Sequence, residues 1–134
     1  MRAGRVGALG AVLEIGAGCG YQAAVFARLA REVLAIERVA ALVPKARRNL
    51  AAAQVRNVQI KLADGSTLDG PLGEFVGAFD AIIFAAAAPE APVNLLPLLA
   101  PGGRLIAPVG DARAQTLVEV TLREGLPQIK QLES

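Results

Sequence analysis

Ala11-Val12-Leu13-Glu14-Ile15-Gly16-Ala17-Gly18-Cys19-Gly20 is the stretch on which the fold turns. Its first five residues, apolar except for Glu14, read as a buried strand. They run without a break into three glycines set at every second position. Glycine after a buried strand allows a sharp turn and lets a ligand come close to the backbone. Amides opening the next helix favour a negative group there. A dinucleotide fingerprint would need G-x-G-x-x-G, but Tyr21 stands where its third glycine belongs. The lysine of a phosphate-binding P-loop is missing as well.

Outward from this loop, apolar runs alternate with helix-like stretches. The pattern predicts a helix over 21–31, a strand over 32–37 and a helix over 41–53 with Pro44 in its first turn. Further strands are expected over 58–63 and 79–86. A short helix follows over 93–99, stopped by Pro101-Gly102-Gly103, and then a strand over 104–109. Residues 116–122 alternate in polarity like a one-sided strand near a sheet edge. The tail, 127–134, is able to add a short strand. Continuous apolar strands separated by helices predict an α/β fold with a doubly wound, mostly parallel sheet and helices on both faces. Ligands in such sheets bind beyond the carboxyl ends of the strands. Gly16 to Gly20, Glu37, Asp64 and Ala85 to Pro89 each end one strand, so they are expected on one rim.

Composition narrows the chemistry. The 134 residues are 54% hydrophobic and carry a net charge of +2, with a mean hydropathy of +0.45. This length predicts one domain, and this composition excludes a disordered or collagen-like chain. Alanine fills 27 positions and aromatics only 4%, so the core depends on close packing of small side chains. The absence of histidine excludes a His-ligated metal, a Ser-His dyad and a histidine pH switch. No metal site is expected. One cysteine makes no internal disulfide and fits a reducing compartment, so a cytoplasmic location is expected. Arg2 and Arg5 before an apolar stretch imitate a secretion signal, but Glu14 interrupts that stretch. The longest apolar run, Ala81 to Ala88, has eight residues, where a membrane span needs about 20. Basic residues are scattered and aromatics rare, which argues against nucleic acid as a partner.

The rim residues fit one nucleoside ligand. Glu37 ends its strand 17 residues beyond Gly20, and a carboxylate there accepts both ribose hydroxyls. The alternative is a solvated strand-end charge. Asp64-Gly65 suits the edge of an adenine ring or a plain turn. Tyr21 either packs over a ligand or caps the core. Cys19 reads as a small residue beside the loop, and Asp80 as the start of a strand without a catalytic role.

Taken together, these segments resemble the protein-L-isoaspartate O-methyltransferase family of class I S-adenosylmethionine-dependent methyltransferases. Val12 to Ala24 is similar to the family's first motif, Ile36-Glu37-Arg38 to its ribose segment and Ala63-Asp64-Gly65 to its adenine segment. Phe79 to Ile83 with Ala85 to Pro89 resembles its fourth strand and substrate-side loop, and Leu98 to Gly110 its fifth-strand motif. The resemblance implies a Rossmann-like methyltransferase core. It implies S-adenosylmethionine as methyl donor, S-adenosylhomocysteine as product and isoaspartyl peptides or proteins as substrate, in protein repair. Cofactor contacts are then expected from Glu14, Gly16, Ala17, Gly18, Gly20, Tyr21, Gln22, Glu37, Arg38, Asp64 and Gly65. Ala86, Ala87, Ala88, Pro89, Val109 and Gly110 are expected on the substrate side. The loop Ala86-Ala87-Ala88-Pro89 lacks the polar N/D-P-P-aromatic pattern of base N-methylating enzymes, which favours O-methylation.

The chain also departs from the family. The family's T-I-S-Q-P-like stretch, whose serine helps hold substrate, is absent from this sequence, so no catalytic side chain is assigned. The reading expects a core shortened at both ends and lacking the family's last strand, with impaired turnover. An unpaired sheet edge would then invite a homodimer. An RNA or small-molecule methyltransferase, or a non-catalytic cofactor-binding core, shares the same cofactor residues and stays open at this point.

Overall fold

The computed structural model describes residues 9–65 and 70–133. Among these described residues, seven strands form one sheet in the order β3-β2-β1-β4-β5-β6-β7. They are β1 (Leu9–Ile15), β2 (Ala30–Glu37), β3 (Val58–Leu62), β4 (Phe79–Phe84), β5 (Leu99–Gly110), β6 (Gln115–Arg123) and β7 (Leu126–Glu133). The first five run parallel, and β6 and β7 are antiparallel additions. The chain winds outward from β1 to β3, then crosses back to lay β4 against the other side of β1. That reversal puts the switch point between β1 and β4, as the sequence pattern predicts.

Each face of the sheet has its own apolar layer. Helices α1 (Tyr21–Phe26) and α2 (Leu42–Ala52) cover one, packing Ala23, Val43, Ala46 and Leu50 onto Val12, Val33, Ala35 and Ile60. Two 3-10 segments, Gly70–Phe75 and Val93–Leu98, cover the other. They set Leu72, Leu95, Leu96 and Leu98 against Leu13, Leu34, Ile36, Ile82 and Leu105. The alanines let α1 and α2 approach the sheet closely, which offsets their small buried area.

Several expected boundaries shift, each for a visible reason. The helix read over 21–31 ends at Phe26, because the Arg28 and Leu29 amides close tight turns onto the Val25 and Phe26 carbonyls. Asn57 then donates to the carbonyls of Ala27 and Ala30, fixing that turn and starting β2 two residues early. The helix read over 93–99 is a 3-10 segment with Pro97 inside it, which has no amide to give to a longer helix. The strand read over 104–109 begins at Leu99, so Pro101-Gly102-Gly103 is bulged strand and not a helix stop. Gly103 permits this: a Cβ there would stand 2.9 Å from the Phe79 carbonyl oxygen. The tail makes a two-residue hairpin at Glu124-Gly125, both at positive φ, and pairs along β6 as an eight-residue strand. Among the described residues, β3 and β7 are the outermost strands of the sheet.

Asp80 has a structural use that its strand-start position did not reveal. Its Oδ2 accepts the Gly10 amide at 2.8 Å and the Ala11 amide at 3.1 Å. The carboxylate thus clamps the start of β1 to β4. Hydrogen bonds to a charged group contribute about 1.5–3 kcal/mol. Asp80→Ala is expected to lower unfolding stability by roughly 2 kcal/mol, read from the urea midpoint at unchanged slope.

Candidate functional site

The carboxyl end of β1 is fastened from both sides. The amides of Gly16 and Ala17 both donate to the Ile36 carbonyl at 2.9 Å, and the Ala85 amide donates to the Ile15 carbonyl at 3.0 Å. From there Gly16, Gly18 and Gly20 take φ of 95°, 55° and 90°. These left-handed values strain any residue with a Cβ. Nothing lies within 4 Å of a Cβ built on Gly18. Its glycine serves the turn and leaves open space above the loop. Ala17 is buried against the α1/α2 face.

Glu37 ends β2 beneath this loop. Its Oε1 accepts the Gly18 amide at 2.8 Å and its Oε2 accepts the Val39 amide at 3.1 Å. At 7% exposure it is buried, which corrects the reading of a solvated strand-end charge. The cause is local: the loop folds back over β2 and uses the carboxylate as its anchor. Each oxygen keeps a further acceptor site.

Glu14 is the second carboxyl of the rim. It has no exposed surface, and among the described residues neither carboxyl oxygen has a hydrogen-bond partner. Burial and the nearby Glu37 charge raise its pKa from 4.5 to about 7. A buried polar group without a partner costs free energy, so it marks either strain or a place kept for a ligand.

The remaining expected residues surround these two. Tyr21 is exposed at the mouth of α1 and does not cap the core. Gln22, Cys19 and Arg38 are exposed too. Asp64 is exposed at the end of β3. Gly65 crosses the ends of β1 and β2 so closely that a Cβ would stand 2.5 Å from Ile15 Cγ2. On the other side, Ala85 abuts Gly16. The loop then exposes Ala86, Ala87 and Pro89 and half-buries Ala88. The Ala88 amide donates to the Pro108 carbonyl and the Gly110 amide to the Ala88 carbonyl, both at 2.9 Å. Val109, bridged to Ala88, and Gly110 are half-buried beside it. All the expected positions thus gather on one rim, with Tyr21, Gln22 and Arg38 at its exposed margin.

Sequence reading missed Asn49, which reaches from α2 to donate to the Cys19 carbonyl at 2.9 Å and steadies the loop. A lone polar residue on an exposed helix face carried no signal of this contact. Two cavities lie away from the rim. One, of about 350 Å³, lies between Arg31, Asn57 and Phe79, and the other, of about 500 Å³, between α2 and β3. No helix among the described residues is long and apolar enough to cross a membrane.

The raised Glu14 carboxyl makes stability depend on pH. Between about 4.5 and 7 the unfolded chain holds fewer protons at this position than the folded one. Stability from this group therefore falls as pH rises through that window. Glu14→Gln is expected to match the wild type near pH 4.5 and to exceed it above pH 7 by up to about 3 kcal/mol. Denaturation of both proteins at the two pH values measures the difference.

The profile of the protein-L-isoaspartate(D-aspartate) O-methyltransferase family matches residues 6–134. A protein-L-isoaspartate O-methyltransferase of Azoarcus sp. (strain BH72) is 54% identical over 110 residues, 82% of this chain and 49% of the relative. One of Methanoculleus marisnigri is 45% identical over 114 residues, 85% of this chain and 50% of the relative. The chain thus spans about half the length of the curated relatives it matches. Among solved structures, a Plasmodium falciparum protein described as a protein-L-isoaspartate O-methyltransferase in complex with S-adenosyl-L-homocysteine aligns with a TM-score of 0.78 at 27% identity. The alignment covers 92% of this chain and 62% of that one. The family profile spans nearly the whole chain, and the chain belongs to the protein-L-isoaspartate(D-aspartate) O-methyltransferase family.

Proposed function

We propose that the chain binds S-adenosylmethionine on the β1–β4 rim and serves methyl transfer to the carboxylate of L-isoaspartyl residues in damaged proteins, in a reducing cytoplasm. The observation that carries the reading is the Glu37 carboxylate, tied to the Gly18 amide and set at the end of β2. The residues present fit an adenosyl amino acid. Glu37 has acceptor capacity left for ribose hydroxyls, and the loop above Gly18 is open. The unpartnered Glu14 carboxyl lies under the same loop, suited to a cationic group. Asp64 and Gly65, at the end of β3, are the residues we assign to the adenine edge. Gly16, Ala17 and Gly20 shape the loop around the amino-acid part, with Tyr21, Gln22 and Arg38 at its margin.

When bound, the cofactor supplies an electrophilic methyl group on a sulfonium. The chain's task is then to place the acceptor, because an in-line displacement gains most from positioning. A carboxylate acceptor is already ionised at neutral pH, its ordinary pKa being about 4, so no side chain has to remove a proton. Ala86, Ala87, Ala88 and Pro89, with Val109 and Gly110 joined to Ala88, offer small apolar side chains and backbone groups for the acceptor. That suits an acceptor needing no general base.

Two measurements test the reading. A tritiated-methyl assay with isoaspartyl peptide and bulk RNA in parallel is expected to label the peptide, and label in RNA alone would overturn the substrate. Titration of Glu37→Ala with S-adenosylhomocysteine is expected to show affinity 10- to 100-fold below wild type, since charged hydrogen bonds contribute about 1.5–3 kcal/mol and 1.4 kcal/mol is about tenfold. The same change strips the Gly18 and Val39 amides of their acceptor, so a stability loss of about 1–3 kcal/mol accompanies it. Wild-type affinity in the folded variant would reduce Glu37 to a loop anchor.

A further inference from the structure

Scattered as the cations look along the sequence, the fold gathers many of them at one end of the sheet. Between Glu37 and Asp64 stand Arg38, Lys45, Arg47, Arg48, Arg56 and Lys61 and no acidic residue, so the rest of the chain holds eight cations against all 12 carboxylates. Five of the six lie on α2, on β3 or in the turn joining them. Lys45, Arg47, Arg48 and Arg56 are exposed, and Lys61 is half-buried. Lys61 comes within 3.9 Å of the exposed Glu74, and among the described residues none of the other four is ion-paired. The outer edge of β3 runs through this positive ground. Asn57 gives its carbonyl to the Val33 amide, and Ala63 its amide to the Glu37 carbonyl. Odd-numbered residues therefore face β2, and Val58, Ile60 and Leu62 turn their amides and carbonyls outward. The Arg47 guanidinium holds the Ile60 carbonyl. No bond to the outward groups of Val58 or Leu62 is seen among the described residues. The side chains of these three residues alternate along the strand and so share the α2 face. There Leu50, Val55, Val58 and Ile60 help line the cavity of about 500 Å³, and Leu62 continues the apolar row at 54% exposure. Lys61 lies on the opposite face, over the Phe75 ring.

We propose that this edge is a docking surface for an extended acidic segment of another protein, which adds to the sheet beside β3. The outward groups of Val58 and Leu62 pair with its backbone, and the apolar row takes its alternate side chains. Lys61, Arg47 and Arg56 attract its carboxylates from the two faces and from the start of the strand. A second copy of this chain is a poor occupant, because its own β3 edge brings the same cations. A single-stranded nucleic acid needs rings to stack on, and neither α2 nor β3 carries an aromatic residue. Docking here does not require the cofactor, since β2 separates β3 from β1 and its glycine loop.

The probe is a fluorescein-labelled peptide of alternating glutamate and valine, about eight residues long like an ordinary strand. Titrated with the full chain and read by anisotropy, it is expected to bind saturably near about 0.01 M salt and to be released near about 1 M, as the Debye length falls from about 30 Å to about 3 Å. A peptide of alternating lysine and valine is expected not to bind. The acidic peptide with every backbone amide methylated keeps its charge but cannot donate to an edge, and is expected to bind at least about tenfold more weakly. Lys61→Glu is expected to weaken the acidic peptide at least about fivefold. Arg123→Glu, at an exposed position on β6, changes the net charge equally at the other end of the sheet and is expected to leave binding unchanged. Thermal transitions check that both variants fold. Equal weakening by the two variants would reduce the effect to net charge and overturn the proposal. Equal binding of the methylated peptide, or no binding of the acidic peptide at low salt, would overturn it too. An oligouridylate of equal length that binds more tightly and displaces the peptide would assign the face to nucleic acid and overturn it as well. If Lys61→Glu does not fold, the methylated peptide decides alone.

Discussion

β1 is hydrogen-bonded along both edges, to β2 and to β4, and its end is fixed by backbone groups alone. The Gly16 and Ala17 amides share the Ile36 carbonyl, and the Ala85 amide takes the Ile15 carbonyl. Three strands therefore finish together, and the chain has one short passage from the sheet to α1. Only residues tolerant of left-handed φ make that passage without a penalty of about 1–2 kcal/mol each. Gly16, Gly18 and Gly20 supply them. The loop so formed needs an anchor, because a glycine turn is entropically loose. Glu37 provides it through the Gly18 amide, and Asn49 through the Cys19 carbonyl.

The sheet core was legible because burial on both faces leaves an unmistakable mark. Val12, Leu13, Leu34, Ile36 and Ile82 sit in continuous apolar runs, and those runs became the central strands. The strand ends were partly legible for a related reason: the apolar runs of β1 and β2 stop at Gly16 and Glu37, whereas β4 ends at Phe84, inside its run. What could not be read was decided by contacts far apart in sequence. Asn57 shapes the turn after α1 from 30 residues away, and Asp80 clamps amides about 70 residues earlier. Pro101-Gly102-Gly103 reads as a stop by local chemistry, yet pairing with β4 draws it into the sheet. Glu37 looked solvent-facing by position. Its burial follows from a loop geometry that no strand pattern encodes.

The two outermost strands are handled differently. At β3 the Arg47 guanidinium donates to the Ile60 carbonyl at 2.7 Å, so an edge acceptor is used within the chain. At β7, Leu122 faces Pro127 one step from the two-residue turn, a place where an antiparallel pair exchanges no hydrogen bonds. The missing proline donor therefore falls on the outer side, and exposed Lys130 adds charge to the same strand. Proline and lysine on an edge discourage another strand from pairing there. The exposed Leu126 and Ile129 pull the other way, since they leave apolar surface on that strand.

Charge is distributed unevenly along the rim. Both carboxyls lie at the ends of β1 and β2, while the β4–β5 side presents Ala86, Ala87, Ala88 and Pro89. A donor carrying ammonium and sulfonium charges is drawn to the first side. A carboxylate acceptor is repelled by it unless those negative charges are already matched. Glu37 is partly matched by two amides in the protein itself. Glu14 has no such donors among the described residues, and burial favours its neutral form. An empty rim with Glu14 neutral carries one negative charge fewer, which limits like-charge repulsion in the sheet. A cationic donor at the proposed site would lessen the repulsion that an anion meets at the neighbouring apolar loop. The proposed site thus sets a matched carboxyl beside an unmatched one at the ends of two adjacent strands, with an uncharged loop on the β4–β5 side.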